Sequence, residues 1–286
     1  MKLLQLLLAA GLHLAAAVAT PHGVLVTLSS GFKVELAVQG LSAFRVSAAN
    51  AKGVAPAQLP SPMLAEQAAY AKFTPSASGI KTSFGALSLT AAGVLTLADA
   101  AGKILSSGAL LEGSPPAGTT ALAFGKSAGA KFYGSGAGKN SGFALEKTSS
   151  SPHVANTDLS VSRFWSTDGF AALGVTSFAS DPKHNGQYPA SWDTKDNAKS
   201  VIFTIMGDTA DVYLMPAATA FDSIAVHWAL TGKAAMPPRY AFGFMACRWG
   251  WQSAAYIDTM LKNFRSGGKV SGGGFPIDAW ISDFEW

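Results

Sequence analysis

The sequence predicts a mainly β protein: a sandwich or barrel of short strands over residues 23 to about 231, then one strand–helix–strand unit of a parallel sheet. Two observations carry this. Short runs of alternating apolar and polar residues recur between turn clusters, the mark of an all-β sandwich or barrel. At Met236-Pro237-Pro238 that pattern gives way to two nearly continuous apolar runs with a helical stretch between them, as buried strands and a covering helix read.

Val24 to Leu28 is the first run, followed by the turn cluster Ser29-Ser30-Gly31. Phe32 to Val38 alternates apolar with polar and closes at Gln39-Gly40; Leu41 to Val46 repeats the scheme. Residues 47 to 75, rich in Ala and Pro, read as a long loop. Ser83 to Thr90 and Val94 to Leu97 flank Ala92-Gly93, and Phe170 to Phe178, Val201 to Met206 and Val212 to Met215 continue the sheet. Between them Asp181 to Lys199, polar and carrying Gly, Pro, Asn and Trp192, reads as a long exposed loop. The period-two reading extends to Thr231. The two prolines forbid helix and favour extended chain. Tyr240 to Cys247 then predicts a strand buried on both faces, with Cys247 a small core hydrophobe. Ser253 stands where an N-cap is needed. Tyr256, Ile257, Met260, Leu261 and Phe264 recur on one helical face, and Gly267-Gly268 ends the helix. Phe275 to Asp283 is the second buried strand. One such unit can neither close a barrel nor cover both faces of a parallel sheet, so the terminus at Trp286 reads as unfinished.

The 286 residues suffice for one large domain or two ordinary ones. With 49% apolar and 13% charged residues, disorder is excluded as the general state. A formal charge of +4 without any Lys or Arg run leaves no footprint for nucleic acid. Lys2, the apolar stretch Leu3 to Val18 and the small residues Ala17-Val18-Ala19 read as a secretory signal peptide over residues 1–19, cleaved near Thr20. No later stretch is long and apolar enough to cross a bilayer. The expectation is a protein of the secretory lumen or outside the cell, with no membrane attachment after cleavage. Its single Cys247 allows no internal disulfide. The histidines at 13, 22, 153, 184 and 227 share no ligand spacing with it, so no metal is expected, and no Asn-x-Ser/Thr sequon occurs. Gly134 to Asn140 fails the phosphate-loop spacing and reads as a tight turn after a strand. Asp181-Pro182-Lys183-His184 carries a lone loop His of the solvated kind.

Several landmarks resemble one family. Met236-Pro-Pro-Arg-Tyr-Ala-Phe-Gly-Phe-Met-Ala-Cys-Arg-Trp-Gly-Trp251 is similar to the segment that opens the catalytic barrel of glycoside hydrolase family 31. Pro276-Ile-Asp-Ala-Trp-Ile-Ser-Asp-Phe-Glu-Trp286 resembles that family's next landmark, Pro-x-Asp before an Asp-rich strand end. Upstream, Phe132-Tyr-Gly-Ser-Gly136 resembles its Phe-Tyr-Gly-x-Gly turn. Asn156-Thr-Asp158, Arg163 to Phe170, and Leu230-Thr-Gly232 fall in the family's order. The resemblance covers roughly residues 130 to 286; residues 23 to 125 add compatible β patterning.

It implies a galactose-mutarotase-like β-sandwich over residues 20–235, followed over 236–286 by the first βαβ part of an incomplete (β/α)8 barrel. It also implies a retaining α-glycosidase acting on an α-linked oligosaccharide or glycoside. That chemistry uses two carboxyl groups about 5 Å apart and no cofactor. In the family both are Asp on later barrel strands, beyond Trp286, so no catalytic residue is assigned here. Asp283, at the C-terminal end of the second barrel strand, matches the Asp that hydrogen-bonds the sugar in the −1 subsite; an ordinary strand-end carboxylate is the other reading. Trp249 falls on the aromatic wall of that subsite, although Trp249 and Trp251 could divide sugar stacking and core packing between them. Phe284 is grouped with them at the strand end. Phe284, Glu285 and Trp286 depart from the family's aliphatic, Asp and Tyr, which bears on substrate choice. Asp158 matches the N-domain loop Asp that reaches the subsite; Asn156-Thr157-Asp158 is also a plain turn signature. Arg248 reads as structural, pairing with a carboxylate. The alternative function is a non-catalytic carbohydrate-binding or scaffold protein. Against it, residues 240–286 would leave apolar strands with unpaired edges, an aggregation hazard.

Overall fold

The computed structural model describes residues 16–56, 63–111, 118–137, 159–175, 190–194, 199–251, 253–267 and 274–283. The readings made for residues 1–15, 138–158, 181–189 and 284–286 lie outside these. The chain forms two compact units, Met1–Lys233 and Ala234–Trp286.

The first unit is built from sixteen strands and one helix among its described residues. In chain order they are β1 (Ala16–Thr20), β2 (Gly23–Thr27), β3 (Lys33–Gln39), β4 (Ala43–Ala49), β5 (Thr74–Ser76), β6 (Gly79–Lys81), β7 (Gly85–Leu89) and β8 (Val94–Asp99). Then follow β9 (Ile104–Ala109), β10 (Thr119–Gly125), β11 (Phe132–Ala137), β12 (Leu159–Ser166), β13 (Phe170–Gly174), β14 (Ala190–Asp193), β15 (Ser200–Met206), β16 (Thr209–Pro216) and helix α1 (Ala220–Thr231). Eight strands form one antiparallel sheet in the order β1-β2-β3-β4-β16-β13-β12-β11. Facing it are a five-stranded sheet, β5 to β9, and a three-stranded sheet, β10-β15-β14. Ala123 N donates to Leu110 O at 2.7 Å and Ser106 Oγ to Gly125 O at 2.9 Å, which ties the chain around β9 to β10. Alternate residues of both layers meet in a single core: Val34, Leu36, Phe44 and Val46 from the large sheet, Leu87, Leu97, Leu122 and Phe203 from the facing ones. Period-two patterning therefore makes a sandwich here, one face of each strand buying its stability by burial.

The large sheet is covered on its outer side as well. Leu230 and Val226 of α1 pack against Ala43, Ala171, Leu173, Tyr213 and Met215. That explains why β4 and β13 are buried at every position and alternate poorly in sequence. The helix itself corrects the period-two reading, which ran through to Thr231. Thr219 caps it in a box with Asp222, and Gly232 closes it. Apolar residues lie all round α1, so no single stripe announced it. Arg163 Nη2 holds the helix to β12 by donating to Ser223 O at 2.8 Å and to Ser223 Oγ at 2.7 Å.

A buried ion cluster crosses three strands of the same outer face. Arg45 on β4 reaches Glu35 on β3 at 2.9 Å and Asp211 on β16 at 2.7 Å, all three side chains nearly closed to solvent. Glu35 and Asp211 both pair in register with Ser47, which sets the two carboxylates either side of β4. Burial, with Glu35 adding to it, pushes the Asp211 carboxyl up against the pull of Arg45 and Ser47. One guanidinium between two buried carboxylates makes that direction the physically expected one.

Three further expectations are corrected. Trp192, read as part of an exposed loop, lies in β14 and is 1% exposed. It packs on Phe164, Phe203 and Phe124 and donates its indole N–H to Ser162 Oγ at 3.2 Å. The long loop expected over residues 47 to 75 is shorter at both ends: β4 runs to Ala49 and β5 starts at Thr74. Gly134 is no turn residue either. It lies inside β11 at φ 130°, where a β-bulge shifts the register between Gly134 and Gly136, and a side chain there would run into Arg163 O.

The second unit holds β17 (Met245–Arg248), helix α2 (Ala254–Ser266) and β18 (Ala279–Ser282). The two strands pair in parallel, Met245 with Ala279 through Arg248 with Ser282, so the strand–helix–strand unit expected from sequence is present. Ser253 caps α2 by accepting from Tyr256 N at 3.2 Å, and Gly267 ends it in the left-handed conformation. The strands are shorter than expected. Arg239–Phe242 is a single 3-10 turn, and Tyr240, Phe242 and Phe244 are exposed. Cys247 is exposed rather than a core residue: among the described residues β17 pairs with β18 alone, so one edge of the strand is left unpaired there.

Candidate functional site

Parallel pairing brings equivalent strand ends to one side. Because Arg248 is opposite Ser282, the residues that follow, Trp249 and Asp283, leave adjacent strands at the same C-terminal end. In parallel α/β folds this end is where ligands are bound. Trp249 is 64% exposed and Asp283 is exposed. An indole and a carboxylate side by side can stack on the C–H face of a sugar and accept its hydroxyl protons.

Trp249 and Trp251 differ in burial. Trp251 is buried, with its ring 3.9 Å from Trp280 and 5.6 Å from Tyr256. It is the core of this small unit, together with Ala246 and Ile277. Trp249 is left for the exposed role.

The opposite, N-terminal end is a structural lock. Asp278 Oδ2 accepts from Phe244 N at 3.0 Å, while Asp278 N donates to Phe244 O at 2.9 Å. Gly243 lies beneath that carboxylate so closely that a Cβ there would overlap Asp278 Oδ2. Arg265 Nη2 of α2 donates to Ile277 O at 3.1 Å, and Phe275 N donates to Phe264 O at 2.7 Å. These bonds fix the height of β18 against β17, and so of Asp283 against Trp249. Sequence reasoning used Asp278 only as a landmark and missed its positioning role; the signal was a glycine, Gly243, before the first strand.

Of the expected site residues, then, Trp249 and Asp283 are brought to one end. Arg248 closes β17. Asp158 and Phe284 lie outside the described residues. No group of three or more His, Cys, Asp or Glu able to hold a metal occurs among the described residues.

The described residues thus form an antiparallel β-sandwich and, after it in sequence, a parallel strand–helix–strand unit. By sequence, no family model and no curated protein matches the chain. Solved structures that share its fold include enzymes of glycoside hydrolase family 31. An α-xylosidase from a soil metagenome, solved with xylose, matches at a TM-score of 0.69 and 17% identity over 87% of this chain and 39% of its own. A Flavobacterium johnsoniae dextranase, solved with glucose, matches at 0.67 and 18% over 88% and 32%. The cycloalternan-forming enzyme of Listeria monocytogenes, solved with a pentasaccharide substrate, matches at 0.66 and 14% over 96% and 26%. The chain thus spans between about a quarter and two-fifths of these chains' lengths.

Proposed function

We propose that the chain is the N-terminal part of a retaining α-glycosidase of the family 31 type, acting on an α-linked oligosaccharide or glycoside. The observation that carries this is the placement of Trp249 and Asp283 at the C-terminal ends of adjacent parallel strands, in a chain with the fold of family 31 enzymes. In this reading Trp249 stacks on the apolar face of the sugar at the cleavage site. Asp283 accepts hydrogen bonds from its hydroxyls, and Asp158 and Phe284 are carried as further sugar contacts on the resemblance alone. In this reading the nucleophile and the acid/base are Asp residues of barrel strands other than β17 and β18, and no catalytic residue is assigned among residues 1–286. Two-carboxylate chemistry calls for no cofactor. Export through the secretory pathway is part of the proposal: cleavage before Thr20 would remove most of β1, an edge strand, and leave β2 at the edge of the large sheet, and N-terminal sequencing should find Thr20 first; an intact Met1 on secreted protein would overturn it.

The functional test is kinetic. In the longest natural product of the gene, Asp283→Asn and Trp249→Ala are expected to lower kcat/KM on an aryl α-glycoside by about ten- to a hundredfold, without changing thermal stability. Unchanged kcat/KM in both variants would remove these residues from the sugar site.

A further inference from the structure

We propose that the first unit carries a separate binding site for an acidic saccharide, in a cavity of about 780 Å³ lined by Leu41, Tyr70, Lys72, Phe73, Lys81 and Ser83 among others. It rests only on residues of the sandwich and is independent of the Trp249–Asp283 reading.

Three features of this cavity select the ligand class. The first is a fixed aromatic surface. His22 stacks on Tyr70 with ring centroids 4.1 Å apart and planes within 16°. Tyr70 lines the cavity; Phe73 also borders it but packs against the sandwich core. Aromatic faces of this kind receive the C–H side of a pyranose ring. Ala71 N donates to Gly40 O at 2.9 Å and so fixes the backbone between Tyr70 and Lys72.

The second feature is positive charge. Lys72 and Lys81 both line the cavity; Lys81 pairs with Thr74 at the end of the β5–β6 ladder, and Lys72 precedes Thr74 by two residues. No acidic residue lines the cavity, and neither lysine pairs with a carboxylate among the described residues. Third, the hydroxyls of Thr74 and Ser83 also line it and make no side-chain hydrogen bond among the described residues. Thr82, by contrast, is spent internally: it donates to Gly85 O and accepts from Phe84 N. Aromatic surface plus hydroxyls fits a sugar ring, and two ammonium groups lining one cavity fit the carboxylates of a uronate or the sulfates of a sulfated sugar. A neutral glucan would use the aromatic surface and leave both lysines idle.

The test is calorimetric titration of the full chain with an oligogalacturonate, with dextran as the neutral comparison and polyaspartate as a charged polymer without sugar. Oligogalacturonate should bind, weakening as salt is raised. Lys72→Gln/Lys81→Gln should weaken it by about tenfold or more, and Tyr70→Ala by about tenfold. The lysine variant lies on the surface and should keep the parent's thermal melting, so a folding defect in the tyrosine variant leaves the test intact. Equal binding of polyaspartate would reduce the site to plain charge attraction and overturn the proposal. So would equal binding of dextran, no binding of oligogalacturonate, or binding that the lysine variant leaves unchanged.

Discussion

Replacing Trp192 tests whether the sandwich closes as described. The side chain is 1% exposed and lies with ring centroids 4.7 Å from Phe164 and 4.8 Å from Phe203. A buried Trp removes about 150–250 Å² from water, worth about 4–6 kcal/mol at ~25 cal/mol per Å². The extended-chain reference overstates this by roughly 10–40%. Trp192→Ala is therefore expected to cost about 3–5 kcal/mol. Trp192→Phe keeps a ring but loses some volume and the hydrogen bond to Ser162, and should cost about 1–2 kcal/mol. Urea unfolding followed by far-ultraviolet circular dichroism measures both. An alanine variant within about 1 kcal/mol of the parent would mean that β14 is not docked in the core, as if the sequence's exposed loop were right after all.

Three other perturbations probe the framework. Gly243→Ala forces a Cβ into Asp278 Oδ2 and should cost about 1–3 kcal/mol in the second unit, read by amide hydrogen exchange of Phe244; unchanged protection would remove Asp278 as the lock. Arg45→Met leaves Glu35 and Asp211 buried without their cation and should cost about 3–5 kcal/mol in urea unfolding, most of it recovered when the carboxylates are also replaced by apolar residues. His227 is held neutral by burial and then by Arg163, its pKa pushed down to about 4. Its depressed folded value means that the unfolded chain takes up the proton first. Stability from this group is complete above about pH 6.5 and is lost as pH falls toward 4. His227→Gln should flatten the stability curve between those values, and identical pH slopes for parent and variant would contradict the assignment.

The sheet-forming runs were legible because one face of each strand meets a single core, so alternation survives in β7, β8 and β15. It failed where both faces are covered or where a long-range partner decides. Helix α1 was missed because it is apolar on all sides, although its Thr219–Asp222 capping box was there to find. Trp192 looked exposed because its neighbours in sequence are polar; what buries it are Phe164 and Phe203 from other strands. In the second unit, local signals placed α2 correctly, since an N-cap serine and a C-terminal glycine act within one turn. The strands were overextended, because an apolar run reports what a layer could bury rather than how far pairing reaches. Trp249 and Asp283 were legible as candidates from the resemblance. Their common end came only from the register of β17 on β18.

The proposed function is that residues 1–286 are the N-terminal part of a retaining α-glycosidase of the family 31 type. Sequencing the transcript beyond the codon for Trp286 tests it most directly. The account predicts an open frame of several hundred codons with an Asp at a later strand end. A stop codon directly after Trp286 would contradict it and leave a sugar-binding sandwich without catalysis.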